Sequence, residues 1–259
     1  MSKEYRSAPI GIFDSGVGGL SVLREIRRLL PGENLLYYAD SRHCPYGTKT
    51  AEQIGARAVA ITDELLAAGV KLIVVACNTA TIAAIEQLRA AYPLSFVGIE
   101  PAIKPAVAQT RSGVVGVLAT GAALAGDKFL KLHAQHGGQV RVITQPCPGL
   151  VEFVERGELE GTPLRALLSQ YVAPLLADGA DTLVLGCTHY PFLRPVLSEL
   201  VGPQVRLLDT GEAVARQTQR VLEREDLLAD AETSGTLEWR TSSERARVAP
   251  VVERLLRVL

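Results

Sequence analysis

Two short stretches of this chain are built alike, and together they limit what it can fold into. Residues 70–75 and 182–185 are apolar runs, too short and too β-branched for helices. Each leads into a cysteine, through Ala76 to Cys77 and through Gly186 to Cys187. Polar residues follow at once, Asn78-Thr79 in one case and Thr188-His189 in the other, and helical patterns come after. A cysteine at the carboxyl end of a parallel strand, against the start of a helix, occupies the usual ligand position of open α/β sheets. Helix N-terminal amides lower a thiol's pKa there and also bind carboxylates. Two such units in one chain predict two similar halves, with Cys77 and Cys187 as a matched pair.

The rest of the chain repeats the alternation. Strands are expected at 9–13, 34–39, 70–76 and 95–99, and helices at 20–30, 50–68 and 80–91. The pattern begins again with strands at 113–118, 139–144, 182–185 and 205–208, and helices at 124–136, 150–156 and 163–177. A further helix follows Pro191. Short loops between alternating strands and helices mean parallel sheets with right-handed crossovers. A helix at 212–225, a strand at 236–240 and a final helix capped by Thr241-Ser242-Ser243 complete the chain. The acidic, weakly patterned stretch 226–234 reads as an exposed loop. The expected fold is two doubly wound parallel-sheet domains. One is formed by 1–98 with the returning segment 209–259, and the other by 99–208.

Composition narrows the function. The 259 residues carry a formal net charge of −1, and duplex nucleic acid normally needs a concentrated positive face, so nucleic acid is not expected as the main partner. No apolar run approaches the roughly 20 residues of a membrane span. Residues 1–8 lack the apolar core of an export signal, which points to the cytoplasm. The four cysteines, Cys44, Cys77, Cys147 and Cys187, form no CxxC or metal-ligand spacing, so reduced thiols and no metal are expected. Cys44 and Cys147, beside prolines in loops, read as structural.

Several residues then stand out chemically. Asp14 ends the first strand and opens Asp14-Ser15-Gly16-Val17-Gly18-Gly19, which lacks the lysine of a phosphate loop and does not fit GxGxxG. The glycines allow close backbone approach, and Asp14 is an acid at a costly place, either for chemistry or as a helix cap. His189, two residues from a strand-end cysteine, can move protons near neutral pH. A cysteine phosphatase would need an arginine six residues after its cysteine, where this chain has Ala83 and Leu193. A Cys-His protease leaves the second cysteine unexplained.

Gly11-Ile12-Phe13-Asp14-Ser15-Gly16-Val17-Gly18-Gly19-Leu20, Pro45-Tyr46-Gly47, Ala76-Cys77-Asn78-Thr79-Ala80 and Gly186-Cys187-Thr188-His189-Tyr190-Pro191 closely resemble glutamate racemase, in order and spacing across nearly the whole chain. The resemblance implies a cofactor-independent racemase of the aspartate/glutamate racemase superfamily that makes D-glutamate for peptidoglycan. It implies two domains facing each other across a pseudo-twofold axis with the substrate between, and a homodimer. Carried over, Cys77 and Cys187 are the catalytic acid/bases, with Asp14 assisting Cys77, and Glu155 with His189 assisting Cys187. Glu155 is identified by Phe153-Val154-Glu155-Arg156-Gly157. Ser15, Tyr46, Gly47, Asn78, Thr79, Thr120 and Thr188 match substrate-binding positions. Ala123 and Gly126 stand where the family commonly has a threonine and a serine.

The chemistry fits a pair. Inverting a stereocentre by proton transfer needs one base on each face of Cα, one as thiolate and the other as thiol. A pyridoxal enzyme would need a Schiff-base lysine and a phosphate cup, and no lysine here sits in such a context. The alternatives are a racemase for aspartate or another small amino acid, and a binding or regulatory protein on the same fold.

Overall fold

The computed structural model describes residues 3–125, 140–230 and 234–258. Two wholly parallel sheets organise them. The first contains β1 (Ile10–Asp14), β2 (Leu35–Ala39), β3 (Leu72–Val75), β4 (Phe96–Gly98) and β9 (Leu237–Thr241), in the order β4-β3-β1-β2-β9. The second contains β5 (Val114–Ala119), β6 (Arg141–Pro146), β7 (Thr182–Leu185) and β8 (Arg206–Leu208), in the order β6-β5-β7-β8. Read from its other edge, the second sheet repeats the first, with β8, β7, β5 and β6 in the places of β4, β3, β1 and β2. β3 and β7, which deliver the two cysteines, are therefore equivalent strands. The two halves that the sequence implies are present, and β9 is the addition that ties the chain's end to the first.

The central strands are apolar apart from Asp14 at the end of β1 and Thr182 at the start of β7, because helices cover both faces of a parallel sheet. Every residue of β1, β2, β3 and β7 is buried. β9, at a sheet edge, alternates exposed and half-buried positions instead. Its return is fixed by pairing with β2 and by the helix Arg245–Val258, which buries Val248, Val252 and Leu255. Local chemistry sets the helix starts. Thr50 caps Ala51–Ala67 by accepting the Gln53 amide while the Gln53 side chain accepts the Thr50 amide, a reciprocal capping box.

Some elements differ from the sequence reading. A helix at Ile103–Gln109 carries no pattern strong enough to read, since Pro105 interrupts it. A proline in the first helical turn has no intrahelical amide bond to lose, so the helix tolerates it. The helix after Cys77 begins at Asn78 rather than at 80. A short 3-10 turn, Tyr190–Leu193, precedes the helix Arg194–Val201. β6 runs two residues later than expected, to Pro146. The stretch 226–234 is not simply an exposed loop, because Leu227 is buried and its carbonyl accepts the Lys71 ammonium. Gly126, most of the helix expected at 124–136, and residues 231–233 lie outside the described residues.

Candidate active site

The carboxyl ends of β1, β3 and β7 converge. A cavity of about 10 Å³ lies there, lined from the first sheet by Ser15, Tyr46, Gly47, Cys77, Asn78 and Thr79. The opposite wall contributes Thr120, Cys187, Thr188 and His189. Both cysteines thus face one space from equivalent strands. Its volume is room for about one water molecule, so an amino acid enters only when the walls part. They are held together by the Thr79–Thr120 hydroxyl contact at 3.1 Å and by the Ser21 hydroxyl donating to the Thr188 carbonyl at 2.8 Å.

Cys77 is the N-cap of the helix Asn78–Ala91, and its sulfur accepts the Ala80 amide at 3.4 Å. Burial pushes its thiol up, and the nearby Asp14 carboxylate adds to the rise, outweighing the amides of Ala80 and Ser15. Asp14 itself is fully buried. Its Oδ2 accepts the amides of Gly16 and Gly19, and its Oδ1 accepts the Thr188 hydroxyl at 3.2 Å. Burial raises its carboxyl above the ordinary range, His189 opposes this, and Glu155 adds to it. Asp14 therefore does two things: it fixes the glycine turn and it crosses to the other wall.

Cys187 has different company. Its sulfur lies 3.6 Å from His189 Nδ1, and His189 Nε2 lies 2.6 Å from Glu155 Oε1. The same carboxylate oxygen accepts the Val17 amide at 2.7 Å. Burial alone would push His189 down, but its contacts with Cys187, Cys44 and Glu155 reverse that and hold its imidazolium well above the ordinary value. The His189 ring beside Cys187, and the acid beside Cys77 that favours a thiol there, give the two sulfurs unlike surroundings. The pair is chemically asymmetric although the strands are equivalent.

The glycines of the Asp14 turn make this possible. A Cβ on Gly16 would stand 2.0 Å from Glu155 Oε1, and one on Gly18 would stand 2.3 Å from His189 Nδ1. Any side chain at either position would push the second wall away from the first.

Of the residues given catalytic or substrate-binding roles from sequence, all but two line the cavity. The exceptions are Asp14, which sits behind the turn, and Glu155, which reaches the site through His189 and lines a neighbouring cavity of about 450 Å³. Ala123 packs in the core with Ala102 and Ile103, away from the cavity. Among the described residues Asn78 Oδ1 has no hydrogen-bond partner although it is buried, an acceptor suited to an ammonium.

Other contributors escaped the sequence. Asp40, fully buried, accepts the Tyr46 hydroxyl at 2.5 Å and both arms of Arg57, which fixes the Pro45-Tyr46-Gly47 turn. Burial would raise its carboxyl, but Arg57 and Tyr46 bring it below the ordinary range. The acid just after β2 was the available signal, since it follows Ala39, the register partner of Asp14 at the end of β1. Cys44, read as structural, stands with Glu155 and His189, one donor atom of each within 4.8 Å of the others. The sequence shows no such cluster because its members come from three distant segments.

Comparison with known proteins places this arrangement. The sequence profile of the Asp/Glu/Hydantoin racemase family matches residues 10–218. A glutamate racemase of Herpetosiphon aurantiacus is 56% identical over 246 residues, covering 95% of this chain and 97% of its own. One from Ectopseudomonas mendocina is 59% identical over 250 residues, covering 96% and 95%. The crystal structure of Escherichia coli glutamate racemase, in complex with L-glutamate and the activator UDP-MurNAc-ala, superposes with a TM-score of 0.87 at 34% identity, covering 97% and 95%. In sequence along nearly its whole length, and in fold, the chain belongs to the Asp/Glu/Hydantoin racemase family, among its glutamate racemases.

Proposed function

We propose that this protein interconverts L- and D-glutamate by two-base proton transfer at Cα, with Cys77 and Cys187 on opposite faces. The observation that carries the reading is that both cysteines line one small cavity from equivalent strand ends. Relatives of 56% and 59% identity that are glutamate racemases support the substrate.

For one enantiomer Cys187, with His189 beside it, acts as the thiolate, while buried Cys77 acts as the thiol. The thiolate removes the Cα proton of one enantiomer, and Cys77 delivers its proton to the other face. The product leaves a Cys77 thiolate and a Cys187 thiol, which is the form that accepts the opposite enantiomer. The Cα–H of an amino acid is far less acidic than a thiol, so the carbanion must be stabilised as it forms. A water-excluding cleft lined with amides and hydroxyls offers charge stabilisation fixed in advance. Ser15, Asn78, Thr79 and Thr188 supply donors for the two carboxylates, and Thr120 and the Tyr46-Gly47 turn complete the walls. Asn78 Oδ1 supplies an acceptor for the ammonium. Asp14 stabilises the thiol form of Cys77, and Glu155 fixes the His189 ring.

Residues 1–98 with 209–259 would form one rigid half and 99–208 the other, which is supported by β9 joining the first sheet and β8 the second. Parting of the halves would admit substrate. D-Glutamate so formed would supply peptidoglycan synthesis.

Polarimetry on both enantiomers of glutamate and aspartate tests the reading. Glutamate turnover that disappears in Cys77→Ala and in Cys187→Ala, with the fold retained, is the expected result. Full activity in either variant overturns the two-base assignment, and equal kcat/KM for aspartate overturns the substrate.

A further inference from the structure

Cys44 follows β2, Glu155 ends the helix Leu150–Glu155, and His189 follows β7. The fold nevertheless gathers a thiol, a carboxylate and an imidazole so that one donor atom of each lies within 4.8 Å of the others. We propose that these three residues form an inhibitory binding site for a divalent cation of borderline softness, best matched by Zn²⁺. Sulfur, nitrogen and oxygen donors together are the set zinc takes, and three protein ligands leave a fourth position for water.

Geometry favours zinc over larger ions. Donors around tetrahedral zinc stand about 3.3–3.8 Å from one another. His189 Nε2 and Glu155 Oε1, now 2.6 Å apart, would separate by roughly 1 Å to admit the ion, while Cys44 closes in by a similar amount. Side-chain rotations supply such shifts without moving a strand. Cys44 and Glu155 also line the cavity of about 450 Å³ beside the cysteine cleft, which gives a hydrated ion a path that bypasses the closed site.

Charge around the path does not favour a generic cation. Arg42, Arg156 and Arg247 line the same cavity, all three exposed, and Arg156 is ion-paired with Glu158. Against them stand Glu155, Asp14 behind the glycine turn, and Glu152 in the cavity wall. Affinity must come from bonds to sulfur and nitrogen. Zinc meets that condition, and magnesium or calcium, which take oxygen ligands, do not.

On binding, the ion sheds water and forms bonds to Cys44 Sγ, a His189 ring nitrogen and a Glu155 oxygen. The thiol proton and one imidazolium proton leave to solvent. The His189 ring, bonded to the ion and shifted by roughly 1 Å, then no longer holds its place beside Cys187. Binding rests on the geometry alone, whereas the loss of turnover rests on the two-cysteine reading.

Co²⁺, a spectroscopic substitute for zinc, tests the binding without turnover. The full chain carrying Cys77→Ala and Cys187→Ala together is titrated with Co²⁺, and thiolate-to-cobalt charge-transfer absorption is read. The band should appear at one ion per chain and vanish when Cys44→Ala is added. A band that survives Cys44→Ala, or none while circular dichroism shows an intact fold, overturns the site. In otherwise unaltered protein, Zn²⁺ should slow racemisation, and Cys44→Ala should need at least tenfold more Zn²⁺ for the same fractional loss from its own metal-free rate. Equal sensitivity would put the metal on Cys77 or Cys187 and overturn the inhibitory claim. If the protein did not racemise glutamate at all, the cobalt result would still stand or fall by itself.

Discussion

Gly18→Ala is the sharpest single perturbation the site offers. The new methyl would meet three atoms of the His189 ring, Nδ1 at 2.3 Å, Cε1 at 2.5 Å and Cγ at 2.6 Å. Ordinary contact begins at 3.4 Å, and a methyl has no rotamer that relieves the overlap. Gly18 is not one of the glycines with positive φ, so alanine brings no backbone strain of its own. The ring must therefore shift by roughly 1 Å, and a displacement of that size in a catalytic group costs on the order of a hundredfold in rate. Overpacking adds about 1–3 kcal/mol of destabilisation, which thermal denaturation reads separately. Because two enantiomers have equal free energy, kcat/KM must fall by the same factor in both directions. In a His189→Ala background the clash has no partner, so Gly18→Ala should cost little further activity there. An unchanged kcat/KM in Gly18→Ala, or a full additional loss in the His189→Ala background, would refute the claim that this glycine exists to admit the histidine.

Other outcomes follow from the same structure. Lys71 and Glu33 form a buried ion pair at 2.6 Å, with side chains 0% and 3% exposed. Lys71→Ala leaves that carboxylate unpaired and should cost roughly 3–5 kcal/mol in denaturant unfolding, whereas a loss within experimental error would show that water reaches it. Asp181 accepts bonds from Thr110, Thr182 and the amides of Arg111 and Ser112, and these hold its carboxyl well below the ordinary range although burial opposes them. A depressed folded-state pKa stabilises above the unfolded value of about 3.9 and is lost as pH falls below it. Asp181→Asn should therefore lower Tm at neutral pH and progressively less toward acid, and a Tm difference independent of pH would contradict this. On the proposed binding of both carboxylates, aspartate, one methylene shorter than glutamate, would not span the two positions with Cα between the sulfurs. Its kcat/KM should be lower by about a hundredfold or more, as a direct comparison of initial rates will show.

The sequence carried much of this because parallel strands covered on both faces leave continuous apolar runs, and their ends are marked by the residues that face the ligand. Asp14, Cys77 and Cys187 were legible for that reason, and the repeated β–Cys–polar–helix unit implied matched sheets. Contacts across the cleft left no local trace. Nothing near Glu155 in the chain says that it meets both the Val17 amide and His189. Cys44 reads as a loop thiol until tertiary structure places it against that pair. Asp40 is a strand-end acid like Asp14, yet its bonds go to Arg57 and Tyr46, so the same signal marks a support for the site. The helix Ile103–Gln109 was hidden by its own proline, a signal that breaks helices except in the first turn.

The central claim is that two different groups handle the proton, one on each face. Racemisation of each glutamate enantiomer in deuterated water, followed at early conversion by proton NMR and chiral separation, tests it most directly. The account predicts that every molecule of product carries solvent deuterium at Cα while the unconverted substrate keeps its protium. Product that retains the original proton, or substrate that exchanges as fast as it inverts, would mean a single base serving both faces and would contradict the account.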